Sequence, residues 1–164
     1  RYAGGATLRT GMTTDLGFYH CTRMPAVDVA VRLAARAQES GARMLLLGAE
    51  DALEQLDRLL WNADPASFLP HAIAGAMEDA AQPLLLAPFT ASISPAANDA
   101  PFLLLLGTGL PQGFEAFARV FNLFEDGGPA HRQARADWKS LAGRADIERS
   151  YWQQKEEGGW LQRD

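Results

Sequence analysis

The side chains best suited to covalent chemistry in this sequence are Cys21 and the histidine directly before it, His20. A thiol next to an imidazole base would be an activated nucleophile. The two residues end a short apolar run that is typical of a strand, and successive side chains of a strand point to opposite faces of the sheet. The pair therefore cannot act together, and we expect Cys21 to be a small buried thiol.

Metal sites leave recognisable spacings, and the sequence has none of them. The three histidines, His20, His71 and His131, are far apart along the chain. Cys21 is the single cysteine, which excludes an internal disulfide framework and a cysteine-built zinc site. The sequence therefore predicts no metal.

Nucleotide-binding and catalytic motifs are missing as well. The segment 20–25, which follows the first apolar run, has no glycine that would let the backbone approach a pyrophosphate. Gly107-Thr108-Gly109 lacks the lysine and hydroxyl residue of a phosphate-binding loop. The sequence has no nucleophile elbow and no paired carboxylates, so it predicts no catalytic residue and no cofactor.

A cluster of cations around a tryptophan lies between residues 131 and 149. This stretch has five Lys or Arg residues against three acidic ones, although the whole chain carries a net charge of −5. On a helix, His131, Arg135 and Trp138 share one face, with Arg132 and Lys139 beside it. Such a face suits a short acidic peptide that ends in an apolar residue and a free carboxylate. The alternative is an amphipathic helix with Trp138 facing inward.

A second pair of large apolar residues, Trp61 and Phe68, borders a segment with prolines at 65 and 70. If both side chains are exposed, they form an anchor patch for a protein partner. If both are buried, they belong to the core. The sequence leaves the two possibilities open.

The length and the net charge of the chain limit the classes of protein to which it can belong. The 164 residues suffice for one domain with its own core. The acidic balance argues against a general nucleic-acid binder, and direct DNA binding is at most weak. The longest apolar run, Phe102 to Leu106, is too short to span a membrane, and a cytoplasmic location is expected. Residues 1–11 are expected to be an expression leader, and residues 12–164 a single domain that ends in a helical segment and a tail.

Apolar runs alternate with helical patterns along the body of this domain. The predicted strands are 16–20, 43–47, 84–87 and 102–106; one predicted helix starts near Pro25 and ends at Gly41, and a second starts at Asp51. Strands that are apolar on both faces and alternate with helices are typical of a parallel sheet covered by helices on both sides. The fold class is therefore α/β, with an open, mostly parallel sheet. Trp160, in the predicted tail, is expected to dock on this body.

Several of these segments together resemble the chi subunit family of bacterial DNA polymerase III. The likeness runs from Phe18 to Trp160. Its most specific part is the block from Trp61 to His71, which contains Ser67-Phe68-Leu69-Pro70-His71, and the 134–139 helix adds to it. The resemblance implies a Rossmann-like fold without nucleotide-binding glycines. It also implies an accessory subunit without catalytic activity of its own, which links single-stranded-DNA-binding protein (SSB) to the clamp loader through the psi subunit.

The resemblance also assigns residues. Arg135 matches the family arginine that grips the acidic C-terminal tail of SSB, Lys139 matches a flanking lysine, and Trp138 replaces a tyrosine. Either His131 or Arg132 takes the place of another lysine, and Leu123 and Phe124 are expected as pocket wall. Trp61 and Phe68 match the aromatic residues that bind psi, and an XPD-like helicase is another partner of that surface in the family.

Two functions from different classes follow. The first is the non-catalytic replication adaptor. The alternative is a small α/β enzyme, whose polar pocket would lie at the carboxyl ends of the strands, near Gly48, Ala87 or Gly107.

Overall fold

One twisted sheet of eight strands organises the chain. The computed structural model describes residues 12–63, 69–75, 79–92 and 98–163. The expected leader, residues 1–11, lies outside them, as do Phe68 and part of the loop at 90–101. The strands are β1 (Thr14–Cys21), β2 (Met44–Gly48), β3 (His71–Ile73), β4 (Leu84–Pro88), β5 (Phe102–Leu106), β6 (Arg119–Glu125), β7 (Ile147–Gln154) and β8 (Trp160–Arg163). The α-helices in the described residues are α1 (Ala26–Glu39), α2 (Glu50–Asn62) and α3 (Pro129–Ser140).

The strand order is β3-β4-β2-β5-β6-β1-β7-β8, and every neighbouring pair is parallel except β7 and β8. This confirms the predicted α/β fold with an open, mostly parallel sheet. The fully apolar β2, β4 and β5 lie side by side, where both faces of the sheet are covered.

Alternate residues of the strands build two cores, one on each face of the sheet. The first packs against α1 and α2 and includes Leu46 and Leu123. The second packs against α3 and the 3₁₀ turn Phe114–Ala116, and it includes Phe18 and Phe124. We call these the α1/α2 face and the α3 face. Cys21 is buried on the α1/α2 face, as expected for a structural thiol.

The end of α1 follows the predicted glycine rule. Gly41 has a φ of +78°, and its N–H donates to the carbonyl of Gln38. The next N–H, of Ala42, donates to the carbonyl of Ala37 at 2.9 Å. This is the Schellman arrangement, which satisfies carbonyls that the last helical turn leaves open.

The C-terminal part of the chain differs from the expected tail. Residues 147–163 form the antiparallel hairpin β7–β8, which extends the sheet beyond β1. Gly158 and Gly159, at the turn, both have positive φ values that favour glycine. Trp160 docks on the body, as predicted, with its ring centroid 5.3 Å from that of Tyr19. Among the described residues, no helix is long and apolar enough to cross a bilayer.

Candidate protein-interaction sites

A pocket of about 300 Å³ lies on the α3 face, between α3 and the β7–β8 hairpin. We call it the α3 pocket. Its lining combines cations with aromatic rings: His20, His131, Arg135, Trp138, Lys139, Tyr151, Gln153 and Arg163. Four of these, all on α3, are residues that the sequence singled out for peptide binding. Helical spacing therefore brings His131, Arg135, Trp138 and Lys139 to one place.

Trp138 is half-buried rather than fully exposed or fully inward. Its ring meets Phe18 and Tyr151 edge to face, with centroid distances of 5.4 and 5.7 Å. The guanidinium of Arg149 lies over the ring, 3.9 Å from its centroid, and also donates to the Trp138 carbonyl. These contacts fix the ring in one orientation while part of it lines the pocket.

Two histidines that are distant in sequence meet at the floor of the α3 pocket. The rings of His20 and His131 have centroids 4.2 Å apart, and Phe124 stacks on both of them. His20 Nε2 lies 2.8 Å from an Asp126 carboxylate oxygen, and His131 Nδ1 accepts the Gly127 N–H at 3.0 Å. Spacing along the chain could not predict this cluster, because the parallel pairing of β1 with β6 creates it.

The environment of His131 disfavours its charged form. Burial is the main cause that lowers its pKa from the ordinary 6.5, and the nearby His20 and Arg135 act in the same direction. Asp126 opposes the shift. The imidazole is therefore neutral at pH 7 in the free protein.

The two histidines and Asp126 are also the residues that could hold a metal ion. The ligand atoms of His20, Asp126 and His131 all lie within 4.8 Å of one another. This geometry corrects the sequence argument against a metal, which relied on their separation along the chain. However, His131 Nδ1 already accepts the Gly127 N–H, and Arg135 lines the same pocket. We therefore do not assign a cation to this cluster.

Three of the predicted tail-binding residues do not line the pocket. Leu123 is fully buried on the α1/α2 face, because it is adjacent to Phe124 on β6 and points the other way. Phe124 is also fully buried and supports the two histidine rings from below. Arg132 is exposed but lies outside the pocket lining, whereas His131 is part of that lining.

The hairpin supplies the pocket residues that the sequence argument missed. Tyr151 and Arg163 are direct cross-strand partners in β7 and β8, so the hairpin pairing brings an aromatic ring and a cation together. Gln153 follows two residues later on the same face of β7. The available signals were the adjacent aromatic residues Tyr151 and Trp152, which favour a strand, and the Gly-Gly pair at 158–159, which favours a turn.

A second site surrounds Trp61, whose side chain is 56% exposed near the end of α2. This excludes the core alternative for Trp61, while Phe68 lies outside the described residues. The Trp61 ring lies 4.9 Å from the ring of the buried His71. His71 in turn bonds the Asp57 carboxylate at 2.9 Å and the Leu69 carbonyl at 2.7 Å. Asp57, Trp61 and His71 thus form one contact group, which we call the Trp61 surface.

Comparison with known proteins decides the family. The family model described as DNA polymerase III chi subunit, HolC, matches residues 12–147, which is most of the chain. The chain belongs to the DNA polymerase III chi subunit family. No curated protein matches it. The family match includes α3 and the Trp61 surface but ends at the start of β7, so the rest of the hairpin lies beyond it.

Membership in the chi family identifies the chain as an accessory subunit of a replicative DNA polymerase. The alternative, an enzyme, required a polar pocket at the carboxyl ends of the strands. A groove of about 620 Å³ does lie there, with Asp51, Gly107 and Glu125 in its lining. The Glu125 carboxylate accepts the Ala26 N–H at 2.9 Å, at the start of α1. In this chi-family chain, a side-chain anion thus occupies the helix N-terminus that a phosphate takes in nucleotide-binding relatives of the fold.

Proposed function

We propose that this chi-family subunit is a non-catalytic adaptor that binds the acidic C-terminal tail of SSB in the α3 pocket. The observation that carries the proposal is the convergence of Arg135, Lys139 and Arg163 around the rings of Trp138 and Tyr151. Three cations in one pocket of a chain with a net charge of −5 favour a specific anionic ligand.

The chemistry of the pocket matches a peptide that ends in an aromatic residue. Trp138 and Tyr151 offer ring edges and faces to an apolar side chain. The Arg135 guanidinium can hold the terminal carboxylate through two parallel hydrogen bonds. Lys139 and Arg163 can attract the acidic residues that precede it. A short tail buries little surface, so we expect a micromolar complex, which corresponds to about 8 kcal/mol.

The first prediction concerns Arg135→Glu. We expect this variant to weaken binding of an SSB tail peptide by ~2–4 kcal/mol, because it removes the carboxylate bond and places like charges face to face. Titration calorimetry measures the loss. The matched control is Arg32→Glu, which makes the same charge change at an exposed position on α1, on the other face of the sheet. A peptide without its terminal aromatic residue should also fail to bind.

Equal affinity of Arg135→Glu and Arg32→Glu would contradict the assignment of Arg135. Binding that persists without the terminal aromatic residue would instead contradict the end-on mode, in which the rings receive that side chain.

For the Trp61 surface we propose binding of psi, which ties chi to the clamp loader, or of an XPD-like helicase that shares the surface. The exposed Trp61 ring supports this proposal, because large exposed aromatic residues are common anchors of protein interfaces. Phe68 is the second residue of the proposed surface. No cofactor is part of this proposal, and DNA contact would be weak or indirect. Replication in the bacterial cytoplasm supports a cytoplasmic location.

A further inference from the structure

A second pocket, of about 450 Å³, lies on the α1/α2 face and has no role in the proposed function. We call it the aromatic pocket. Five rings line it, those of Tyr19, Phe102, Phe121, Trp152 and Trp160. Tyr19 lies between Phe121 and Trp160, with centroid distances of 5.8 and 5.3 Å. The volume falls within the range of small-ligand sites.

The Tyr19 ring can line the aromatic pocket only because residue 17 is a glycine. A Cβ atom at Gly17 would lie 2.5 Å from Cε1 of the Tyr19 ring, so this ring lies directly over the glycine. Burial raises the pKa of the Tyr19 phenol above its ordinary value, so its O–H stays protonated and can donate a hydrogen bond.

Two arginines give the aromatic pocket a positive rim. The guanidinium of Arg119 lies 4.7 Å from the centroid of Phe121 and 5.8 Å from that of Phe102. Asp15 balances it only in part, at 3.6 Å between half-exposed side chains. Arg36 lines the pocket from the exposed side of α1, and it forms no ion pair with the residues that the structure describes.

We propose that the aromatic pocket binds a nucleobase together with its phosphate. Flat bases stack on aromatic rings whatever their sequence, and arginines beside such rings neutralise phosphate. The net charge of −5 disfavours long polyanions, but one nucleotide needs only the local rim of Arg36 and Arg119. Single-stranded DNA and free nucleotides share this chemistry.

This site is separate from the proposed SSB site. Tyr19 and Trp152 are register partners on β1 and β7, and both line the aromatic pocket. Their neighbours His20 and Gln153 point to the opposite face and line the α3 pocket. The two proposals therefore succeed or fail independently.

The test is a titration with thymidine monophosphate and with a thymidine octanucleotide at low salt, followed through the indole N–H signals in NMR spectra. The chain has four tryptophans. We expect the signals of Trp152 and Trp160 to shift while those of Trp61 and Trp138 stay in place. Arg36→Glu should weaken binding about tenfold, whereas Arg32→Glu, an exposed change outside the pocket on the same helix, should not.

Tighter binding per nucleotide of the octanucleotide than of the monophosphate would identify single-stranded DNA as the source of the ligand. Equal affinity per nucleotide would identify a free nucleotide. The proposal is overturned if neither probe shifts the Trp152 and Trp160 signals at millimolar concentration, if the Trp138 signal responds instead, or if Arg36→Glu binds like Arg32→Glu.

Discussion

If the SSB tail binds in the α3 pocket as proposed, its affinity should depend on pH through His131. Burial is the main cause that lowers the pKa of His131 from 6.5, with smaller contributions from His20 and Arg135, so the free α3 pocket has a neutral His131 imidazole at pH 7. A peptide carboxylate in the pocket would favour the charged form and raise that pKa, so binding would take up a proton. Affinity should therefore increase, about threefold to tenfold, as the pH falls from about 8 to about 5.5. Calorimetry across this range measures the change.

The control for this prediction is His131→Gln, which keeps a polar side chain but cannot titrate. Its affinity should vary much less with pH, and a profile equal to that of the unchanged protein would exclude His131 as the group responsible.

The lowered pKa of His131 also decreases the stability of the folded protein at acidic pH. Below about pH 6.5 the unfolded state binds the proton more readily than the folded state, so the free energy of unfolding decreases there.

Residue types alone predicted half of the α3 pocket. Arg135, Trp138 and Lys139 are close in sequence, and the period of a helix is enough to bring them together. His20, Tyr151 and Arg163 reach the same pocket from three different strands. Their meeting depends on the register of β1 with β7 and of β7 with β8, which no local pattern determines.

Among the elements, those with a simple apolar pattern were predictable. Helices α1 and α2 each have one buried stripe, and β2, β4 and β5 are continuous apolar runs. The apolar pattern does not reveal β6, because Asn122 interrupts the apolar run of this strand, although this residue is only 2% exposed. The apolar pattern does not reveal β7 either, because most residues of this strand next to the sheet edge are polar.

The β7–β8 hairpin is joined to the sheet by the pairing of β7 with β1, and Trp160 adds a side-chain contact between β8 and the body. We expect Trp160→Ala to lower the free energy of unfolding by about 1–2 kcal/mol, because a half-buried ring loses its edge-to-face contact with Tyr19. Urea unfolding measures this. Leu161→Ala is the matched control, because Leu161 is next to Trp160 and its side chain is 47% exposed. This change should lower the free energy of unfolding by less than about 0.5 kcal/mol. Equal effects of the two changes would show that the hairpin gains little from docking.

The two proposed binding sites lie on opposite faces of one sheet. The α3 pocket lies on one face, whereas α2, which bears Trp61, packs on the other. One hydrogen-bonded, mostly parallel sheet lies between them, so we expect no coupling between the two sites. This arrangement fits the proposed adaptor function, because partners on opposite faces would not compete for the same surface.

Two substitutions should therefore act on separate partners. We expect Trp61→Ala to leave the affinity for the SSB tail unchanged but to weaken binding of psi, or of the helicase that uses the same surface, by about 2 kcal/mol, as is typical of an interface anchor. Arg135→Glu should show the reverse pattern. Calorimetry with the tail peptide and co-purification with the co-expressed partner give the two readouts. If either variant weakened both interactions while its unfolding curve stayed normal, the sites would be energetically coupled, and the sheet would transmit binding between its faces rather than keep the two surfaces independent.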